Sequence, residues 1–261
     1  MEETNKMKIR ANQVKERWNK GEIVISSSVR LPEPGLCEIL GYAGFDFVVL
    51  DGEHGAMDWS VMDQMIQSCY ASDITSVVRV LHNDDSEVIM RALDLGAQGI
   101  LLPHCRTAED AKRFKSAATY PPNGKRGYGP GRGTLWGRIS QKEYLKQADD
   151  SLLLIAIIED VEGVENIEEI AATGLDCLWV GTGDLAMDYG VPGEGKHPKL
   201  LDAAKRILNA CLENDIIAGF PVGNPKDAEW AIEQGFRAIG YGGAEEYIMS
   251  QSRQFLSALG R

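Results

Sequence analysis

Eight short apolar runs recur along the chain, each followed by a stretch with helical periodicity. This alternation limits the fold more than any other feature. The runs are IVISSS (23–28), FDFVVL (45–50), SVVRV (76–80), GILLP (99–103), LLLIAIIE (152–159), CLWVG (177–181), IIAGF (216–220) and RAIGY (237–241). Most are continuously apolar rather than alternating, as strands buried on both faces are. Helical stretches fall at 34–43, 58–70, 86–95, 107–117, 162–172, 199–213, 225–234 and 244–258. A leading helix is expected over 8–19, with Ile9, Val14 and Trp18 near one face. Strand then helix, eight times, predicts an α/β fold, a single (β/α)8 TIM barrel with a leading N-terminal helix. An open doubly wound sheet is the alternative. The length of 261 residues suits one barrel or two small domains. The unit count favours one domain over 1–261, with a long β4–β5 connection at about 104–152.

In a parallel barrel every strand delivers its C-terminal end to one face. Three of the runs end in charge: Asp51-Gly-Glu53-His54 after the second, Glu159 after the fifth and Asp184 after the sixth. The fold therefore brings residues more than 130 positions apart to one pocket, which is the main reason to expect an enzyme. Glu159 and Asp184 are hard oxygen ligands, and two carboxylates completed by waters and substrate oxygens suit Mg²⁺ or Mn²⁺. Helix capping or plain strand-end charge is the simpler account of either one alone. Asp51, three positions before His54, is placed to fix an imidazole and make it a better base. A loop histidine serves as well to start the next helix. Arg79 lies inside an apolar strand and needs a carboxylate partner, from the protein or from a substrate. Asp94 closes a helix and either reaches the mouth or only ends that helix.

Weaker signals surround these. His104 follows Pro103 at a strand end, and His82 and His197 stand in loops. Trp59, Trp136 and Trp179 are read as packing residues. The segment YPPNGKRGYGPGRGTLWGR (120–138) alternates glycines with Lys125, Arg126, Arg132 and Arg138. No strand leads directly into it and Pro130 lacks an amide donor, so a phosphate cradle is disfavoured. An ordered loop at the mouth, or one crossing to a neighbouring subunit, is expected instead.

Composition excludes several classes. A net charge of −12 argues against a nucleic-acid surface or an anionic membrane as partner. The five cysteines are far apart without metal-ligand spacing, and are read as reduced thiols of a cytoplasmic protein. The N-terminal MEETNKMKIRANQVKERW has no apolar signal core, and no run has spanning length.

Six segments together resemble the HpcH/HpaI family of metal-dependent, pyruvate-type class II aldolases, which includes 2,4-dihydroxyhept-2-enedioate aldolase. They are FDFVVLDGEHGAMDW (45–59), VVRV (77–80), RALDLGAQGILLPHCRTAEDAK (91–112), YPPNGKRGYG (120–129), IIEDVEGVENIEEI (157–170) and VGTGDLAMDYGVPGEGKHP (180–198). The similarity runs over roughly residues 20–250. It implies a divalent ion, Mg²⁺ or Mn²⁺ with Co²⁺ also suitable, on Glu159 and Asp184. It implies a pyruvate-like 2-oxo acid chelating that ion and an aldehyde as the second product. Arg79 would then hold the keto oxygen and the enolate charge. His54, oriented by Asp51, would move protons, and Asp94 would stand at the site edge. Backbone amides at Thr182 and Gly183 would hold the oxo-acid carboxylate. The resemblance also implies a homo-oligomer, commonly a hexamer.

Two departures fall close to the substrate. The family usually has glutamine two positions before the metal glutamate, where this chain has Ile157, and the usual G-P-x-D-L-S reads Gly181-Thr182-Gly183-Asp184-Leu185-Ala186. An aliphatic residue at 157 offers the oxo acid no hydrogen bond, so weak pyruvate affinity is expected, with either a bulkier or less polar donor or one held by another group such as His104. No lysine stands among the strand-end residues, which favours a metal over an imine route. A citrate-lyase-like enzyme acting on an acyl thioester, or a non-catalytic barrel serving as sensor or assembly subunit, are the competing functions.

Overall fold

The computed structural model describes residues 9–81 and 86–261. His82 lies outside the described residues, as does the first residue of the expected leading helix. In chain order the elements are α1 (Gln13–Asn19), β1 (Val24–Val29), α2 (Pro34–Ala43), β2 (Phe47–Asp51), α3 (Trp59–Ala71), β3 (Thr75–Arg79), α4 (Ser86–Asp94), β4 (Gly99–Leu102) and α5 (Ala108–Ala118). A 3-10 turn (Arg132–Thr134), α6 (Gln141–Leu145) and α7 (Ala148–Ser151) precede β5 (Leu153–Ile158). The remainder is α8 (Val161–Glu165), α9 (Ile167–Ala171), β6 (Cys177–Val180), α10 (Thr182–Asp188), α11 (Pro198–Glu213), β7 (Ile217–Val222), α12 (Pro225–Gln234), β8 (Ala238–Gly243) and α13 (Ala244–Ala258).

Each strand pairs in parallel with the next, and β8 returns to β1, so the sheet closes into an eight-stranded barrel. The open-sheet alternative is thereby set aside. Side chains alternate along each strand between two cores. Phe47, Val77, Leu101, Leu153, Ile155, Ile157 and Cys177 fill the interior. Val48, Leu50, Val78, Ile100, Leu102, Ile158 and Leu178 pack outward under the helices. Every residue of β5 is buried, which explains its unbroken apolar sequence. The leading helix closes the N-terminal end: Val14 and Trp18 join the interior cluster. Asn12 caps α1 and donates its amide to the carbonyls of Gln98 and Ser151, tying the plug to the barrel rim.

Two expectations about elements need correction. The helix expected over 162–172 is two short helices meeting at Asn166, whose side chain donates to the Arg106 carbonyl at 3.0 Å. The glycine-rich stretch does not cover the mouth. It runs along α3 and α4, where Arg126 bonds Asp94 at 2.9 Å and Arg132 reaches Asp63 at 2.8 Å and the Leu95 carbonyl at 3.0 Å. A Cβ at Gly131 would strike the Asp94 carbonyl, so a glycine there serves close backbone approach to α4.

Candidate active site

Strand register places the first pair of charges. Asp51 ends β2 opposite Arg79, which ends β3. Asp51 is 3% exposed and takes two guanidinium bonds, Nε at 2.9 Å and Nη2 at 2.6 Å. It also accepts the backbone N–H groups of Glu53 and His54 at 3.1 and 3.0 Å. Burial alone would raise its carboxyl, but Arg79 and these amides outweigh burial and hold it below the usual range. The remaining arm of Arg79, Nη1, lies 3.0 Å from Glu53. Burial works against the Arg79 charge, yet Asp51, Glu53 and Glu159 keep the group more firmly protonated than usual.

Arg79 thus has protein carboxylates as partners, which answers the sequence question of what balances it. Asp51 is not placed as expected toward His54. Its oxygens bind the His54 backbone and Arg79, not the imidazole. The ring is 61% exposed, with Nε2 3.7 Å from Glu53. A fork bonded on both arms, with two backbone amides added, satisfies a buried carboxylate more fully than one imidazole N–H does.

Glu159 follows β5 and is 4% exposed. Its Oε1 accepts the His104 backbone N–H at 2.8 Å. Its Oε2 stands against the turn after β6, 2.8 Å from where a Cβ on Gly181 would sit, so only glycine fits there. Burial raises the Glu159 carboxyl to about 7; the His104 amide and ring oppose this, while the charges of Asp184 and Glu53 add to it. Asp184 lies in the first turn of α10, directly beyond that glycine. The structure brings Asp51, Glu53, Arg79, His104, Glu159 and Asp184 to one end of the barrel. Asp94 is not among them: its carboxylate is held by Arg126 beside the glycine-rich segment, because α4 runs back along the barrel away from the mouth. His197 caps α11, its Nδ1 accepting the Lys199 amide at 3.2 Å.

Sequence reasoning gave His104 too little weight. It adopts a left-handed backbone, φ +49°, which turns its amide onto Glu159. Its Nδ1 meets Asp160 at 3.1 Å and its Nε2 lies 3.8 Å from Glu53. Burial lowers its basicity, but Asp160, Glu159 and Glu53 together raise it above the ordinary value. The available signal was the second acid in Glu159-Asp160 paired with a histidine after a strand-end proline.

Beneath the charged ring a cavity of about 450 Å³ extends into the barrel. Ser26 and Ser28 form one wall, and Phe47, Leu101, Ile155 and Ile157 line its depth. Thr182 stands at its edge. Trp179 also lines it, contrary to a purely packing role, whereas Trp59 and Trp136 lie on the outside under Arg91 and Arg132. No group of three or more His, Cys, Asp or Glu side chains arranged to hold a metal occurs among the described residues. The site presents a carboxylate pair, not a closed cage. Among the described residues no helix is long and apolar enough to cross a membrane.

The family model described as HpcH/HpaI aldolase/citrate lyase matches residues 29–248. The chain is 35% identical over 214 residues to a 5-keto-4-deoxy-D-glucarate aldolase of Shigella boydii, covering 80% of this chain and 82% of the relative. It is 36% identical over 208 residues to a hydroxypyruvate/pyruvate aldolase of Chromohalobacter salexigens, covering 78% and 81%. A crystal structure of an HpcH/HpaI aldolase/citrate lyase family protein from Burkholderia cenocepacia superposes with a TM-score of 0.89 at 28% identity, covering 96% of this chain and 100% of the other. With the match spanning the barrel from the end of β1 into α13, the chain belongs to the HpcH/HpaI aldolase/citrate lyase family.

Proposed function

We propose that this protein is a carbon–carbon lyase, a class II aldolase that reversibly cleaves a 4-hydroxy-2-oxo acid to pyruvate or a related 2-oxo acid plus an aldehyde. The observation that carries the reading is the Glu159–Asp184 carboxylate pair at the mouth, with the Arg79 guanidinium within its field. The names of the relatives, an oxo-acid aldolase among them, support the same reaction class.

The donor set fits a hard divalent ion. Glu159 is a buried carboxylate with one oxygen lacking a hydrogen-bond donor among the described residues, beside a second carboxylate of like charge. Such a pair calls for positive charge, and Mg²⁺, Mn²⁺ or Co²⁺ suits oxygen ligands completed by water and substrate. When bound, the ion polarises the keto group and offsets the negative charge of the enolate.

The protein's own residues do the rest. Arg79 aims positive charge at the developing enolate oxygen, and its two hydrogen bonds to Asp51 fix it there before the reaction. The Thr182 and Gly183 amides lie in the first turn of α10, before its first intrahelical bond, and are offered to the oxo-acid carboxylate. His54, anchored through its backbone on Asp51 with its ring beside Glu53, moves protons between enolate carbon, aldehyde oxygen and water. Asp94 stands too far round the barrel to serve within its own chain; a role at a neighbouring subunit's site is the form in which its candidacy survives.

A thioester lyase would need a cationic surface for a nucleotide. Lys112, Arg113, Lys125 and Arg126 do gather around a cavity of about 530 Å³, but that cavity shares no lining residue with the mouth. The five buried free thiols accord with a cytoplasmic protein. The exposed apolar side chains Ile248, Phe255 and Leu259 of the C-terminal segment support assembly into a homo-oligomer, proposed as a hexamer.

The test is a screen of 2-oxo acids and aldehydes with purified protein, with and without EDTA. Turnover of a hydroxy-oxo acid that EDTA stops and Mg²⁺ or Mn²⁺ restores is the expected result. Absence of turnover and of α-proton exchange with every donor and metal would remove the assignment and favour the non-catalytic barrel. Binding of a coenzyme A thioester in their place would favour the thioester lyase.

A further inference from the structure

Ile157 and Trp179 are partners in the β5–β6 register, so their side chains stand next to each other on the inner face of the barrel. Ile157 is two residues before Glu159, and Trp179 is two before the glycine that abuts Glu159. Both side chains therefore form the layer directly beneath the carboxylate pair, and both line the mouth cavity. Ile157 is aliphatic and offers a bound anion nothing. Trp179 carries one strong donor, the indole N–H.

The protein makes room for that indole. A Cβ on Gly219 of β7 or on Gly240 of β8 would collide with the ring. Across the barrel the indole packs edge to face with Phe47, with ring centroids 6.3 Å apart and planes at 87°. Its position is thus fixed by three other strands. Among the described residues none accepts a hydrogen bond from the indole N–H; unlike the Trp18 nitrogen it is not a buried unpaired atom, and the side chain that carries it lines the cavity. A tryptophan held this rigidly and left one hydrogen bond short is a ready-made site for an acceptor atom. Several other polar groups of the cavity already have partners: Ser27 is with Tyr247 at 2.9 Å, Ser28 with the Gly242 carbonyl at 3.3 Å, and Arg79 with Asp51 and Glu53.

We propose that Trp179 is a substrate-binding residue whose indole N–H donates to an oxygen of the 2-oxo acid, supplying from β6 the hydrogen bond that Ile157 does not supply from β5. This rests on the oxo-acid lyase reading of the same site. It changes the expectation drawn from Ile157 alone: the floor is not without a donor, and a small, polar 2-oxo acid such as pyruvate is held.

The proposal is tested with ¹⁵N-indole-labelled protein loaded with Mg²⁺. The Trp179 resonance is assigned as the one lost in Trp179→Phe. Oxalate, a planar analogue of the enolate, and pyruvate are titrated in turn. The expected result is a downfield shift of that indole proton that saturates with binding. Calorimetry on Trp179→Phe should show roughly tenfold weaker oxalate binding, the low end for a hydrogen bond to a charged group. Ile157→Gln added to Trp179→Phe should recover most of the loss. Saturable binding to the wild type with none of the five indole protons moved overturns the inference alone, even where Trp179→Phe folds poorly. Unchanged affinity in a folded Trp179→Phe does the same. Failure of both acids to bind the wild type with Mg²⁺, Mn²⁺ or Co²⁺ removes the oxo-acid reading and this inference with it.

Discussion

At the scale of single residues, the site is a contest between burial and charge. Glu159 shows its outcome most clearly, because burial has carried its carboxyl from the usual 4.5 to about 7. A carboxyl raised on folding contributes stability that is fully present below the unfolded value and is lost as pH rises through the folded one. In chelator, the melting temperature should therefore fall between pH 4.5 and about 7 through this group, and Glu159→Gln should flatten that part of the profile. Mg²⁺ competes with the same proton, so its affinity should weaken by up to roughly tenfold per unit as pH falls below that value. Glu159→Gln and Asp184→Asn should each lose metal binding and activity while the barrel stays folded, as read by calorimetry and circular dichroism. Arg79 tests geometry rather than charge. Its fork grips Asp51 with two nitrogens, which one ammonium cannot reproduce. Arg79→Lys should lose about 10²–10³ in kcat; near-complete activity in that variant would reduce Arg79 to a point charge. His54→Ala should slow exchange of the oxo-acid α-protons by about 10²–10⁴ while leaving oxalate affinity nearly unchanged. Exchange at the wild-type rate would transfer the role to another group, and His104 is the nearest in reach of Glu53 and Glu159.

At the scale of elements, glycines make space for side chains on neighbouring strands. Gly219 and Gly240 accommodate the Trp179 ring, and Gly181 accommodates Glu159. Gly219→Ala should lower stability by about 1–3 kcal/mol through overpacking, and Trp179→Phe in the same chain should return part of it; a fully additive pair in denaturant unfolding would show that the ring and the glycine do not press on each other. This dependence between strands also marks what the sequence could and could not disclose. Strand existence was legible because burial on both faces leaves a local record, and β5 or β2 could be read from a handful of residues. The ends carrying Asp51, Arg79 and Glu159 were legible for the same reason, since parallel order sends them to one face. Partnership was not local. Nothing near Asp51 tells that its oxygens go to Arg79 and two amides instead of the His54 ring. The spacing of Gly127 to Gly133 hides that this segment lies along α4, and the break at Asn166 depends on the Arg106 carbonyl from another loop. Trp179 reads as packing, and Ile157 as a pocket wall without a donor, until the β5–β6 register sets them side by side under Glu159.

At the scale of the whole molecule, the barrel is closed but its surface is not finished. The N-terminal end is sealed by α1, and the sheet has no free edge. The C-terminal helix is different: after its first residue, Ala244, no residue of α13 is fully buried, although the helix is rich in apolar groups. Ile248, Phe255 and Leu259 are 58, 67 and 64% exposed; the seven-residue spacing sets the first two on one face of the helix, and Leu259 follows at its C-cap. Scattered apolar residues on a surface need no explanation, but a stripe along one helix does. Fully burying such a side chain gains up to about 1.5–3 kcal/mol, so this face contributes to a subunit contact in the range of what association costs. The homo-oligomer proposed above should therefore depend on this face. Phe255→Glu combined with Leu259→Glu should shift the mass measured by light scattering toward the monomer of 28.6 kDa. These positions lie outside every cavity-lining and charged group of the mouth, so the far-ultraviolet spectrum and the Glu159-dependent affinity for Mg²⁺ should persist in the dissociated chain. An unchanged assembly in the double variant would place the subunit contact elsewhere on the barrel.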